Sequence, residues 1–374
     1  MKIGILTRRA GFNMGSSLQA YAMAKFITDT GYSCRIIDYD EYSGHPLWKV
    51  RPFVENIQWN LIRHLPFRNS KYSYLLARAC QYRRFKEFED KHLPLTEKIY
   101  GNQKQLVSLE QEFDAFVCGS DQIWSPLLYD PVYYFNFLSK GCNIRTVAYA
   151  PSIGIGNALL MRKEQIALMQ NIDYISCREE QGAQIIGDIT GREVPVVLDP
   201  TLMVRPADWE KLVNPVSQFE NESYILCYFL GSNVHQSYVD RLRKELCCKI
   251  VNIQMFNRLN GTNADYQVSD IGPSEFLGLI RKAKWVCTDS FHAIIFSYIF
   301  QRRISVFERF KSTDTQSQNS RIYTLLNILD MEKVLVRNDS VCNMPERVEH
   351  LGSCTALEKW KDLSLEFILS LIHI

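Results

Sequence analysis

The chain has 374 residues, of which 46% are hydrophobic and 22% are charged, and its formal net charge is only +2. This length favours two domains of roughly 150–200 residues each, and the composition is that of a globular protein rather than a disordered one. A nucleic-acid-binding protein would carry a basic stripe and a strongly basic balance, and the sequence has neither.

The eleven cysteines are scattered along the chain, and none forms a Cys-x-x-Cys pair. Disulfide frameworks and zinc sites need paired or clustered cysteines, so we expect reduced, buried thiols, no metal and no cofactor. Reduced thiols indicate the cytoplasm. The amino-terminal apolar run is too short for a signal peptide, and no window approaches the ~20 apolar residues of a membrane span. Peripheral contact with the inner membrane face stays open.

The first half of the chain alternates apolar runs typical of buried strands with helical patterns. The strands are predicted at 2–7, 34–40, 114–119, 146–150, 174–177 and 194–199, and helices around 18–27, 157–171 and 179–187. Residues 41–98, rich in Trp, Phe and Tyr, break the alternation and are predicted to form an aromatic helical insertion.

A second alternating series follows the polar segment 214–223, which is predicted to be a linker. Its strands are predicted at 223–230, 249–254, 284–288 and 303–308, and its helices at 234–247, 273–283, 291–301 and 320–329. Strand–helix alternation predicts parallel sheets covered by helices. We therefore expect an α/β protein with two tandem Rossmann-like, doubly wound domains, at 1–213 and 224–335, and a helical tail at 336–374 packed back on the body.

Such sheets bind ligands beyond the carboxyl ends of their strands, so polar residues that follow strands are candidate site residues. Asn13, Gly15 and Ser16 open the first helix, where free backbone N–H groups suit an anion. A serine there is equally suited to be a helix cap. Ser120, Asp121 and Gln122 follow the strand at 114–119 and either bind sugar hydroxyls or form a capped turn.

Two arginines and a histidine stand at later strand-to-helix junctions. Arg178 lies where a helix dipole disfavours a cation, which predicts an anionic ligand or an ion pair with a neighbouring glutamate. His292 falls in the first turn of a helix capped by Ser290, beside Asp289, where it could transfer a proton. Arg321 opens a helix after the polar loop 311–320, which is expected either to be a flexible surface loop or to close over substrate.

Eight motifs occur in order along the chain and together resemble the bacterial polysaccharide pyruvyl transferases. They are N-x-G-S-x-L-Q-A-Y-A, F-D-x-F-V-C-G-S-D-Q-I-W, A-Y-A-P-S-I-G, S-C-R-E, L-D-P-T-L, G-P-S-E-F-L, T-D-S-F-H-A and N-S-R-I. The resemblance runs from about residue 3 to about residue 330 and leaves out 41–98 and the tail.

This resemblance implies a two-domain fold similar to GT-B glycosyltransferases, phosphoenolpyruvate as donor, and a cyclic pyruvate ketal on a cell-surface sugar or its lipid-linked precursor. Arg178 then matches the family's anion-binding arginine, and His292 its histidine. Some members have Arg-Leu-His where this chain has Ser290-Phe291-His292. We expect Arg321 to supply the missing charge, and the amino end of the helix at Ser290 to help hold the anions.

In this mechanism His292 handles one proton transfer, and Asp121 orients or deprotonates the acceptor. Two other functions stay open at this point. A nucleotide-sugar glycosyltransferase would use the same two-domain architecture and the same cleft. A non-catalytic sugar-binding protein would account for the arginine that is missing at position 290.

Overall fold

The computed structural model describes residues 1–9, 12–40, 73–254, 262–311, 313–314, 316–337 and 354–372. These residues form two α/β domains, each built on its own six-stranded parallel sheet. None of the helices among them combines the length and the apolar character that crossing a membrane requires.

The first sheet is assembled from strands that are spread over the amino-terminal half of the chain. They are Lys2–Leu6 (β1), Ser33–Tyr39 (β2), Leu95–Tyr100 (β3), Ala115–Cys118 (β4), Arg145–Ala148 (β5) and Tyr174–Ile175 (β6). Their order across the sheet is β3-β2-β1-β4-β5-β6, and every pairing is parallel. Helices cover both faces of such a sheet, which is why the inner strands are continuous apolar runs.

The second sheet repeats this topology. Its strands are Tyr224–Tyr228 (β7), Lys249–Ile253 (β8), Tyr266–Val268 (β9), Trp285–Thr288 (β10), Arg303–Phe307 (β11) and Leu335–Val336 (β12). Their order is β12-β11-β10-β7-β8-β9, again all parallel. When the strands of each domain are numbered from its own first strand, both sheets have the order 3-2-1-4-5-6.

The helices lie between and around the strands. They are Met14–Asp29 (α1), Ser73–His92 (α2), Gln103–Leu106 (α3), Lys163–Met169 (α4), Glu180–Thr190 (α5), Pro200–Met203 (α6), Pro206–Glu210 (α7), Gln236–Leu246 (α8), Pro273–Lys282 (α9), Phe291–Ile299 (α10), Ser320–Ile328 (α11) and Cys354–Ile372 (α12). Short 3-10 helices include Pro126–Leu128 and Ala158–Leu160.

The direction of chain winding reverses at one point in each sheet, between β1 and β4 and between β7 and β10. A crevice opens at such a reversal because the two loops there run to opposite sides, and ligands bind in it. The loops concerned follow β1 and β4 in the first domain and β7 and β10 in the second.

The predicted pair of Rossmann-like α/β sheets is confirmed. One difference concerns residues 95–98, which the sequence places inside the insertion and the structure places in the sheet as part of edge strand β3. Three of its six residues are exposed, and this polar pattern of an edge strand hides it from a search for apolar runs. Residues 41–72 of the predicted insertion lie outside the described residues.

A tryptophan joins the two domains. Trp209 is fully buried, with its ring 5.5 Å from that of Tyr21 on α1 and 4.8 Å from that of Phe296 on α10. Its indole N–H donates to the Thr201 carbonyl at 3.2 Å. One apolar cluster runs through both domains, from Val117 in β4 to Val251 in β8, so the domains share a core.

Helix α12 packs against the first domain. Its Ser364 hydroxyl accepts a hydrogen bond from the Leu198 N–H at 2.9 Å and is fully buried. The Phe367 ring lies 6.2 Å from the Tyr149 ring. The last helix therefore holds the backbone that leads into Asp199.

Replacing Trp209 by alanine should lower the free energy of unfolding by about 3–5 kcal/mol, because it leaves a cavity where the domains meet. Urea denaturation of the purified variant measures this. Leu159, which is 89% exposed, provides the control, since Leu159→Ala should change stability by less than about 0.5 kcal/mol. Equal effects from the two substitutions would contradict a shared core at Trp209.

Candidate active site

A buried arginine that follows β6 lies where the two domains meet. The Arg178 side chain is 1% exposed, and its guanidinium donates to Asp199 Oδ2 at 3.0 Å and to Asp121 Oδ1 at 3.4 Å. The Glu179 carboxylate lies farther away, at 3.8 Å from Arg178 Nε. Of the two predicted partners for Arg178, an ion pair is present, but Asp199 and Asp121 provide it more closely than the neighbouring glutamate.

Asp199 is held as a carboxylate by the groups around it. Its Oδ2 also accepts from the Ser120 hydroxyl at 3.0 Å, and its Oδ1 accepts from the Thr201 N–H and hydroxyl at 3.0 and 2.7 Å. Burial raises the pKa of Asp199, but His292, Arg178 and Thr201 lower it by more, so the pKa lies well below its usual value.

The loop after β4 brings Asp121 into the same network. Gly119 has φ of +122°, and a Cβ there would lie 1.9 Å from the Tyr149 carbonyl oxygen, so no other residue fits this turn. Asp121 itself has a left-handed φ of +64°, and its Oδ2 accepts from the Ser16 hydroxyl at 2.5 Å. Burial raises the pKa of Asp121, while Arg178, His292 and Ser16 lower it to a value below the usual one.

The neighbouring polar residues of this loop make structural contacts. Ser120 also donates to the Ala150 carbonyl at 2.9 Å, and its N–H donates to the Gln19 side chain at 3.1 Å. Gln122 donates through Nε2 to the Gln318 side chain at 2.8 Å, which bridges the two domains. These predicted ligands of sugar hydroxyls are therefore already hydrogen-bonded within the protein.

Two helix amino termini meet in the cleft. Asn13 caps α1 by accepting from the Gly15 and Ser16 N–H groups at 3.0 and 3.3 Å. A Cβ on Gly15 would lie 2.1 Å from His292 Nδ1, so the imidazole packs directly on the helix backbone. Only glycine allows that approach.

The second of these termini belongs to α10. Ser290 caps it by accepting from the Ala293 N–H at 3.5 Å. The His292 Nε2 atom lies 3.6 Å from Asp199 Oδ2, and the Phe291 ring lies 4.4 Å from the Arg178 guanidinium carbon. The first turn of α10 thus covers the ion network of the first domain.

Asp289, predicted as a substrate ligand, holds the loop that follows β7. Its two carboxylate oxygens accept from the Leu230 and Gly231 N–H groups at 2.7 and 2.6 Å, and it is 1% exposed. Arg309, which follows β11, donates to the Asp289 carbonyl at 2.9 Å. The Asp289 carboxylate fixes the loop that follows β7.

A comparison with known protein families identifies the family of this chain. The model of the family described as polysaccharide pyruvyl transferase matches residues 13–307, which include Arg178, Asp199 and His292. The chain belongs to the polysaccharide pyruvyl transferase family. A comparison with curated proteins found no match.

Two solved structures that are similar to this chain are UDP-GlcNAc 2-epimerases. The UDP-GlcNAc 2-epimerase of Methanocaldococcus jannaschii has 12% identity and a TM-score of 0.44, over 97% of this chain and 99% of that one. The UDP-GlcNAc 2-epimerase of Neisseria meningitidis, bound to UDP-GlcNAc, has 9% identity and a TM-score of 0.47, over 99% and 100% of the two chains.

Arg321 differs from the other buried arginine of this transferase-family cleft. It lies in the first turn of α11 and is 5% exposed, so it is fixed on a helix rather than carried by a mobile surface loop. Its Nε has no hydrogen-bond partner, and no ion pair to Arg321 is found, within the described residues. A buried, uncompensated guanidinium costs several kcal/mol of desolvation energy.

The electrostatics of Arg321 indicate an anion. Its pKa is lowered to about 9, mainly by burial and also by the positive charges of Arg309 and Arg178, while Asp121 and Glu179 raise it by less. Three guanidinium groups and two carboxylates are thus close enough to influence one another. An anion bound beside Arg321 would compensate its charge.

Sequence reasoning missed three residues of this site. Asp199 stands in the L-D-P-T-L motif and ends the run 194–199 that the sequence predicts as a strand, so a search after strands would have included it. In the structure this run forms a single isolated bridge, between Cys177 and Val196, rather than a full strand. Arg309 follows β11, so the rule of searching after strands would have found it. Phe291 has no such signal, since its contact with Arg178 depends on the packing of the domains.

Arg321→Met should raise the free energy of unfolding of the unliganded protein by about 1–3 kcal/mol, because it removes a buried charge that has no partner. Urea denaturation at neutral pH measures this. The folded-state pKa of about 9 lies below the reference value of 12.5, so the destabilisation is complete below pH 9. It decreases as the pH rises above 9, and the gain from the variant should decrease with it.

The matched control is the same substitution at the paired arginine. Arg178→Met should lower the free energy of unfolding by about 3–5 kcal/mol, since it leaves Asp121 and Asp199 buried without their cation. The two substitutions would then change the free energy of unfolding in opposite directions. A loss of stability in Arg321→Met as large as that in Arg178→Met would show that Arg321 has a partner in the unliganded protein.

Proposed function

We propose that the protein transfers the pyruvyl group of phosphoenolpyruvate to two hydroxyls of a sugar, in a cell-surface polysaccharide or its lipid-linked precursor. The product is a pyruvate ketal, and phosphate is released. Membership of the family supports the transferase class. The observation that carries the choice of donor is the unpaired, buried guanidinium of Arg321 in the cleft that contains His292.

The donor carries a phosphate and a carboxylate, so its site must offer cationic groups or free N–H groups to both. Arg321 is the better anchor for one of them, because its charge is unpaired, whereas Arg178 already pairs with Asp199 and Asp121. The amino end of α10 at Ser290 offers backbone N–H groups to the other. The arginine that some family members have at position 290 is then replaced from α11.

Ketal formation requires a defined movement of protons. The methylene carbon of the donor gains one proton, two sugar oxygens bond to its central carbon, and the bond from that carbon to the phosphate oxygen breaks. The two hydroxyl protons end on the new methyl group and on the released phosphate, so the reaction balances without an oxidant. A group that delivers a proton to the methylene carbon and accepts one from a hydroxyl is therefore needed.

His292 suits that role, and Asp121 suits a different one. The His292 Nε2 has no hydrogen-bond partner within the described residues and lies 3.6 Å from Asp199 Oδ2, so this nitrogen is available to exchange a proton with a substrate. The lowered pKa of Asp121 makes it a weak base. We therefore assign Asp121 to accepting a hydrogen bond from the acceptor rather than to removing its proton.

Purified protein incubated with phosphoenolpyruvate and a panel of sugars, including galactose, glucose and N-acetylmannosamine glycosides, should release phosphate. Mass spectrometry should find an acceptor heavier by one pyruvate less one water. A parallel reaction with UDP-sugars should release no nucleotide. Nucleotide release together with an unchanged phosphoenolpyruvate pool would replace this proposal with glycosyl transfer. In the productive reaction, Arg321→Met should raise the donor KM by about tenfold or more, whereas Arg303→Met, at the exposed amino end of β11, should leave it unchanged.

His292→Gln should reduce kcat by about 10²–10⁴-fold while the protein still binds the donor, because a positioned acid–base group contributes this much. Glutamine keeps a polar side chain of similar length. It is preferable to alanine at this buried position, where His292 is 7% exposed. Stopped assays give kcat, and the thermal shift caused by phosphoenolpyruvate reports binding. Full activity in His292→Gln would make His292 a packing residue only.

A further inference from the structure

Two neighbouring surface loops expose leucines. Leu127 and Leu128, in the 3-10 helix after β4, are 51% and 48% exposed, and Leu159, in the 3-10 helix after β5, is 89% exposed. Single exposed leucines are ordinary on protein surfaces. Here three stand on adjoining loops, and clustered exposed apolar side chains mark binding surfaces.

The contacts of Arg162 show that these loops adjoin. Arg162 Nε donates to the Pro126 carbonyl at 3.2 Å, directly before Leu127, and its guanidinium carbon lies 5.3 Å from the centre of the Tyr129 ring. Arg162 is three residues after Leu159. The leucine-bearing segments 126–129 and 158–162 are therefore in contact, and we call them together the leucine loops.

Three cations lie on or beside the leucine loops. Arg8 reaches the Leu128 carbonyl through Nη2 at 3.4 Å, and Arg162 and Lys163 are exposed at the end of the second loop. The nearby Asp130 carboxylate accepts hydrogen bonds from the Tyr39 hydroxyl at 2.8 Å and from the Val132 N–H at 3.0 Å. The Glu164 side chain is exposed. Protruding leucines within a cationic rim combine the two features that bind a charged membrane surface.

The position in the fold supports the same reading. The leucine loops follow β4 and β5, so they lie at the carboxyl edge of the first sheet, the edge that also carries Asp121. We propose that the leucine loops dock on an anionic lipid surface, with the leucines at the boundary of headgroups and acyl chains and Arg8, Arg162 and Lys163 at the lipid phosphates. This orientation brings the cleft close to acceptors held at that surface. The docking itself does not depend on which donor the cleft uses.

Flotation of the full chain with vesicles tests the proposal. The protein should float with vesicles of phosphatidylglycerol mixed with phosphatidylcholine and bind phosphatidylcholine vesicles much more weakly. The double variant Leu127→Gln/Leu159→Gln should bind the anionic vesicles at least about tenfold more weakly. Lys163→Gln should weaken binding by about fivefold. The matched control is Ile99→Gln, because Ile99 is 55% exposed on edge strand β3 and should leave binding unchanged.

Circular dichroism melting establishes that each variant is folded, and turnover of a water-soluble acceptor should be the same in all of them. The proposal is overturned if the wild type does not float with anionic vesicles, if the leucine variant floats as the wild type does, or if Ile99→Gln loses binding equally. A wild type that self-associates in sedimentation experiments through Leu127 and Leu159, without binding vesicles, would assign the patch to a second copy of the chain instead.

Discussion

The cleft depends on one buried ion network, in which the Arg178 guanidinium is shared between Asp199 and Asp121. A guanidinium that is 1% exposed can be held as a cation only if carboxylates compensate it at short range. The carboxylates come from the end of β4 and from the segment that leads into α6, and Ser16, Ser120 and Thr201 hold them by hydrogen bonds. The loops of the first domain are therefore fixed relative to one another before any ligand binds.

The two buried arginines of the cleft divide stability and ligand binding between them. Arg178 satisfies its charge within the protein, so it organises the site. Arg321 has no partner within the described residues and a pKa lowered to about 9, so it destabilises the unliganded fold. Unsatisfied buried groups in a native protein commonly mark a place where a ligand supplies the missing interaction. An anion bound beside Arg321, as we propose for the donor, would recover the stability lost there.

The sequence predicts features that depend on local patterns better than contacts between residues that are distant in the chain. The strands with continuous apolar runs, such as β4 and β10, were predicted within one residue at each end, because burial on both faces leaves a plain signal. β3, β9 and β12 were not predicted. All three are edge strands; β3 and β9 have mixed polarity, and β12 has only two residues. Arg178 and His292 were predicted as site residues from their strand-to-helix junctions, and their roles stay predictions. The pairing of Arg178 with Asp199 joins positions 21 residues apart, and no local pattern encodes it.

The contact between Gly15 and His292 couples the orientation of the domains to the chemistry of the cleft. His292 belongs to the second domain, yet its imidazole rests on the backbone of α1 and faces Asp199, both in the first. A side chain at position 15 would occupy the place of the imidazole. The proton-transferring group we propose is therefore positioned by the domain interface rather than by its own helix alone. Movement of one domain against the other would change its distance to Asp199, and with it the readiness of the site to react.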